Sequence, residues 1–200
     1  MIGKRFLFLM AIALMPIMGC SGGGAAVTYY VLQAAAILPT APTPLNVDIG
    51  VGPVVLPDYL ERDTLVTRVS RNQLSVHQQH RWAGSLQNEI LRVLTINLKA
   101  ACPGAEVRSH PWSGPDKPDL RFRLSILQFD GSPAGHVDLK VAWTVEKDLD
   151  TVLRRETQLR QDIDGDDLEA YAAAMGYALA GLAREMAKDV IQMAESASKH

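Results

Sequence analysis

The chain is poor in residues that do covalent chemistry or staple a small fold. It carries 2 cysteines in 200 residues, Cys20 and Cys102. If Cys20 is consumed by another reaction, no intramolecular disulfide can form and the fold must stand on packing. Cys102 closes a predicted helix ahead of Pro103-Gly104 and reads as a small buried apolar residue rather than a nucleophile. Histidines are equally sparse. His77 and His80 stand three apart on a predicted strand, which aims them at opposite faces, while His110, His136 and His200 are isolated; none of these makes a metal-ligand set. There is no Gly-x-Ser-x-Gly elbow, no Gly-x-x-x-x-Gly-Lys phosphate loop and no Gly-x-Gly-x-x-Gly fingerprint. Ser85 comes nearest to a nucleophile, and its place at a helix start explains it as a cap.

Charge of one sign is also lacking. The formal net charge is −2, which leaves no nucleic-acid footprint in the total. The distribution is uneven: Arg62 to Arg123 holds ten Lys or Arg against five Asp or Glu, and Leu124 to His200 holds eight against fourteen. Two oppositely charged faces of one domain would look like this, and solvated strand and helix faces would too. The acidic run Asp162-Ile163-Asp164-Gly165-Asp166-Asp167 has its glycine out of step with a calcium loop and no closing glutamate. A strand end followed by an acidic helix cap accounts for it.

Nor is there a run long enough to cross a membrane. Phe6 to Met18 is uninterrupted and apolar but too short for a stable span. What is present is a basic start at Lys4-Arg5, that apolar run, and Ile17-Met18-Gly19-Cys20. This order is a signal peptide over residues 1–19 ending in a lipobox. The expected chemistry is thioether attachment of diacylglyceryl to Cys20, cleavage before it, and acylation of the new amine. Several acyl chains on one residue anchor stably where one does not. Ser21, rather than Asp, after the cysteine favours the outer membrane. Residues 20–27, with Ser21-Gly22-Gly23-Gly24, form a flexible tether, and residues 28–200 suit one domain.

Within that domain Thr28 to Leu32 is rich in β-formers. Pro39, Pro42 and Pro44 hold the next segment as a loop. Val47, Ile49 and Val51 alternate with polar or small residues and run on to Val54-Val55-Leu56 past a bulge at Gly52-Pro53. Pro57 to Leu60 turns the chain. Thr64 to Val69 and Leu74 to Arg81 pair as a hairpin. Leu86, Ile90, Leu94, Leu98 and Ala101 define one helix face. Leu120, Phe122, Leu124 and Ile126 alternate on one strand, and Val137, Leu139, Val141, Trp143 and Val145 on the next. Val152 to Ile163 is a more polar third strand. Leu168, Tyr171, Met175, Leu179, Leu182, Met186, Val190 and Met193 then form a continuous helical stripe, opened by a capping box of Asp166 and Glu169. Gly176, Gly181 and the alanines beside the stripe permit close approach to a sheet. The expected fold is α+β: a mostly antiparallel sheet with a medial helix and a long C-terminal helix packed on one face.

The lipobox, Tyr29-Tyr30-Val31-Leu32, the stretch Ile49 to Arg62 with Pro57-Asp58-Tyr59-Leu60, Arg81-Trp82-Ala83, the Arg121 to Gly131 strand and the Trp143 strand together resemble the PqiC family of ABC-type transport auxiliary lipoproteins. The resemblance covers nearly all of the mature chain. It implies a non-enzymatic outer-membrane lipoprotein, without a cofactor, that serves an MCE-type system in which an inner-membrane ABC transporter or permease feeds a periplasmic MCE assembly. The lipoprotein would dock the distal end of that assembly, and a closed homo-oligomer would suit a ring-shaped partner. The runner-up is a generic envelope lipoprotein that binds a periplasmic protein or an apolar ligand. The family brings no catalytic residues. Pro57, Tyr59, Leu60, Arg81 and Trp82 have the composition of a contact surface, and packing under the first helix explains them equally well.

Overall fold

The computed structural model describes residues 26–112, 117–148 and 150–197. The expected signal peptide, Cys20 and most of the expected tether lie outside the described residues, as does His200.

Strand β1 spans Thr28–Tyr30, β2 Asp48–Val55, β3 Thr64–Ser70 and β4 Gln73–Trp82; helix α1 spans Leu86–Ala101. Strands β5 (Glu106–Ser109), β6 (Leu120–Gly131), β7 (His136–Lys147) and β8 (Asp150–Asp162) follow, and helix α2 (Leu168–Ala197) ends the described chain. A short 3-10 turn, Asp58–Leu60, lies between β2 and β3. The architecture is α+β, as the alternation and the two helical stripes predict.

The strands divide into two sheets, of order β1-β4-β3 and β5-β2-β6-β7-β8. Long antiparallel ladders join β3 to β4, β6 to β7 and β7 to β8. The shorter strands pair in parallel: β1 with β4, and β2 with both β5 and β6. Parallel pairing requires long crossovers, and here the β3–β4 hairpin and α1 form the crossover between β2 and β5. Strand β5 has no counterpart among the sequence expectations, because with Val107 as its one buried residue it is too short to show alternation.

The inward face of β7 is Val137, Leu139, Val141, Trp143 and Val145, all buried, and Trp143 meets Phe122 of β6 with ring centroids 5.5 Å apart. Helix α2 packs on β7 and β8, α1 packs on β2 and β5 of the same sheet, and the two helices pack on each other. Along α2 the predicted stripe from Tyr171 to Val190 is buried, and Ala172, Ala174, Ala178, Ala180, Ala183 and Ala187 are buried beside it. Each large aliphatic or aromatic side chain so buried contributes about 1.5–3 kcal/mol.

Three local expectations are corrected. The cap of α2 is Asp167, whose Oδ1 accepts from the Ala170 N–H at 2.8 Å; a start at Leu168 puts Tyr171 on the core, so Asp166 is one residue too early. Ser85 stands at the N-cap of α1 with extended backbone, but its hydroxyl makes no cap bond; instead the Gln87 amide donates to the Val54 carbonyl and fastens the helix to β2. Finally, β4 is irregular between its pairings of His77 with Leu65 and Arg81 with Thr64. That irregularity brings the His77 and His80 rings to 6.1 Å, edge to face, so simple alternation does not separate them.

Candidate functional site

The five contact residues proposed from the sequence gather at the corner where β2 leaves its sheet and β4 enters α1. Pro57, half-buried, sets up the 3-10 turn by offering its carbonyl to the Leu60 N–H at 2.8 Å. On the β4 side, the Trp82 N–H donates to the Asp63 carbonyl at 2.6 Å, and the Ala83 N–H to the Tyr30 carbonyl at 2.8 Å. These bonds lock the turn, β1 and the helix start together.

Leu60 and Trp82 meet in one open groove of about 640 Å³, with Tyr29, Leu56 and Leu86 adding apolar wall and Arg62 and Asp63 on the rim. Trp82 is only 4% exposed, so it forms the floor rather than a projecting anchor. Arg81 stands beside the groove, its Nη1 donating to Asp63 Oδ2 at 2.7 Å. Such an exposed pair contributes little to stability and leaves the guanidinium near solvent. Tyr29 is a groove residue that sequence reasoning missed; nothing in its strand pattern separates a wall from an ordinary exposed position.

Tyr59 points the other way, into the junction of the two sheets. Its hydroxyl donates to Asp130 Oδ2 at 2.6 Å and accepts from the Phe129 N–H at 3.3 Å. Arg68 of β3 grips the same carboxylate at both oxygens, Nε to Oδ1 at 2.5 Å and Nη2 to Oδ2 at 2.7 Å. Gln128 adds a bond to Oδ1 at 3.0 Å. Asp130 is 0% exposed. Burial pulls its pKa up, but the bonds from Arg68, Tyr59 and Gln128 outweigh it and hold the carboxyl below its ordinary value. Burial, reinforced by the bond to Asp130, pushes the Tyr59 phenol up. The network therefore sits as carboxylate, guanidinium and neutral phenol. It ties β3 to β6 and fixes the turn that lines the groove.

Elsewhere, Tyr30 Oη lies 2.9 Å from His80 Nδ1, and Thr67 Oγ1 lies 2.8 Å from His77 Nε2. Burial, aided by the neighbouring His80, lowers the His77 pKa. Among the described residues, no three His, Cys, Asp or Glu side chains gather to hold a metal ion. No described helix is long and apolar enough to cross a membrane. A second, larger groove of about 840 Å³ lies against the C-terminal end of α2, with Val47, Leu120, Leu153, Val190 and Met193 among its walls.

The sequence profile of the family described as the ABC-type transport auxiliary lipoprotein component matches residues 30–187. The intermembrane transport lipoprotein PqiC of Escherichia coli strain K12 is 26% identical over 137 residues, 68% of this chain and 72% of that protein. Protein XCC0632 of Xanthomonas campestris has a similar fold at a TM-score of 0.71, with 15% identity over 87% of this chain and 100% of its own. An uncharacterized protein of solved structure gives 0.64 at 22% identity, over 84% of this chain and 98% of its own.

Proposed function

Since the chain belongs to the family of ABC-type transport auxiliary lipoprotein components, we propose that it is the outer-membrane subunit of an MCE-type intermembrane transport system. On this reading residues 1–19 are removed, Cys20 carries the lipid anchor, residues 20–27 are the tether and residues 28–200 work as one periplasm-facing domain. It acts without catalysis or a cofactor and docks the periplasmic MCE assembly that an inner-membrane permease or ABC transporter serves. The observation that carries the reading is the family match over nearly the whole folded chain, joined to a lipobox cysteine just ahead of it.

The contact surface we propose is the Pro57–Leu60 and Arg81–Trp82 corner. Leu60 and Trp82 supply an apolar floor, Arg81 a charged edge, and Pro57 and Tyr59 the rigidity of the turn. A photocrosslinker at Ala83, exposed on the groove wall, should capture an MCE-domain protein in cells, and one at Leu127 on the other sheet should not. Capture from neither position, with the protein folded and membrane-bound, would sink the docking reading.

The second groove favours the runner-up, direct binding of an apolar ligand, because an apolar wall that includes Leu120, Leu153 and Met193 stands beside the charged Lys147, Arg155 and Asp189, and its volume of about 840 Å³ falls within the ordinary range of ligand pockets. Native mass spectrometry separates the two. Co-purified lipid points to carriage, and a stable MCE complex with an empty lipoprotein points to docking.

A further inference from the structure

We infer that the outward face of β1 is a membrane-contact strip, seated in the interfacial layer of the bilayer that holds the acyl chains on Cys20. This rests on the anchor reading above. Tyr29 of β1 is 63% exposed, and Val27 and Val31, which flank the strand two residues to either side of it, are 42% and 47% exposed. On the other side Tyr30 packs against the core and faces His80 and Leu32 is fully buried, while Thr28 at the strand's start is exposed. β1 is also an edge strand.

An outward apolar stripe is the reverse of what water selects on this chain. The solvent side of β8 carries Arg154, Glu156, Gln158 and Arg160, the usual treatment of an edge strand. Of the ten exposed large apolar residues described, three fall within this one five-residue stretch.

The tether decides what covers it. Six residues lie between Cys20 and Val27, which makes seven Cα-to-Cα steps. Fully extended they reach about 25 Å, and as a Gly-rich coil their root-mean-square span is about 15 Å. Lipidation therefore holds β1, ahead of every other element, at the bilayer surface. The interfacial layer is hydrated enough for an unpaired strand edge, which the hydrocarbon core is not. Tyr29 suits it, with an apolar ring and a polar tip of the kind enriched at membrane interfaces; because it also walls the groove at Leu60 and Trp82, that groove would open beside the bilayer surface.

The test uses the protein's own thiol chemistry. Cys102 is buried and Cys20 is consumed by the anchor, so a single introduced cysteine takes an NBD label selectively. Tyr29→Cys and Val31→Cys are compared with Leu127→Cys, an exposed apolar position on β6. The lipidated chains are reconstituted in phosphatidylethanolamine–phosphatidylglycerol vesicles. The inference expects blue-shifted emission at positions 29 and 31, quenched by shallow brominated lipids, and water-like emission at 127. Water-like emission at all three positions on chains that float with the vesicles would overturn the strip and leave the anchor standing. A blue shift that needs an added MCE protein, or that appears without vesicles in a self-associated chain, would overturn it in favour of a protein contact. Failure to float would overturn the anchor reading and the inference with it.

Discussion

At the scale of single residues, Asp130 carries more of the structure than any exposed charge. It is buried, receives donors from β3, β6 and the 3-10 turn, and neutralises Arg68 across the sheet junction. Replacing it with alanine strands a half-buried guanidinium and a half-buried phenol. We expect Asp130→Ala to cost about 3–5 kcal/mol, read as a lower urea midpoint. The sign of the pH dependence follows from a folded pKa below that of an unfolded aspartate, about 3.9. The network's contribution is fully present above that value and is lost as the pH falls through the folded one. Asp130→Asn should therefore flatten the loss of stability below about pH 4, measured by unfolding midpoints across the acid limb. Cys102 makes a simpler prediction. Burial lifts its thiol to about 11, so a maleimide at neutral pH should modify it only after unfolding. The sequence disclosed Cys102 through its place at a helix end, but gave no sign of Asp130. The alternation along β6 is legible to Ile126, where a register shift brings Phe129 onto the core; Asp130 beside it is buried where Arg68 of β3 and Tyr59 close over it. Such a shift depends on the pairing with β7, which no single-strand pattern encodes.

Among the elements, the long helix was the most legible because its stripe repeats over many turns, and the paired strands β6 and β7 because each buries one face. The division into two sheets was not, since it depends on parallel pairings between segments far apart in sequence. Gly176 shows the difference. As a small residue in a helix it signals close approach, which the sequence reading assigned to a sheet. Its neighbour is instead the Gln33 carbonyl, in the segment that crosses the helices; a Cβ on Gly176 would lie 2.5 Å from that oxygen. Gly181 does face the sheet, against Leu159 of β8. Alanine is the better helix former by about 1 kcal/mol, yet we expect Gly176→Ala to destabilise by about 1–3 kcal/mol, because backbone must shift to admit the methyl group. Gly84→Ala is the matched control. A Cβ there meets nothing within 4 Å among the described residues, and its midpoint should stay within about 0.5 kcal/mol of the parent. The caps give a second contrast: Asp167→Ala should cost about 1 kcal/mol through loss of the bond to Ala170, and Asp166→Ala should cost much less.

For the whole molecule, anchoring and folding should separate. Among the described residues every side chain of the buried core lies between Leu32 and Val190, and we expect Cys20→Ala to unfold at the parent midpoint. Its location should change completely. Each buried CH₂ contributes about 0.8 kcal/mol, and stable attachment takes more than one chain. A chain without acyl groups keeps only the three apolar side chains of the β1 strip, which are too few to hold it. We expect Cys20→Ala to move from the membrane pellet to the soluble periplasmic fraction and to lose transport, with its far-ultraviolet spectrum and Cys102 protection intact. Re-anchoring the same variant through an unrelated lipoprotein leader with its own lipobox should restore both, because on this reading the lipid supplies position and the groove supplies recognition. Should the folded Cys20→Ala chain remain in the pellet and support transport unaided, the task would not depend on the anchor.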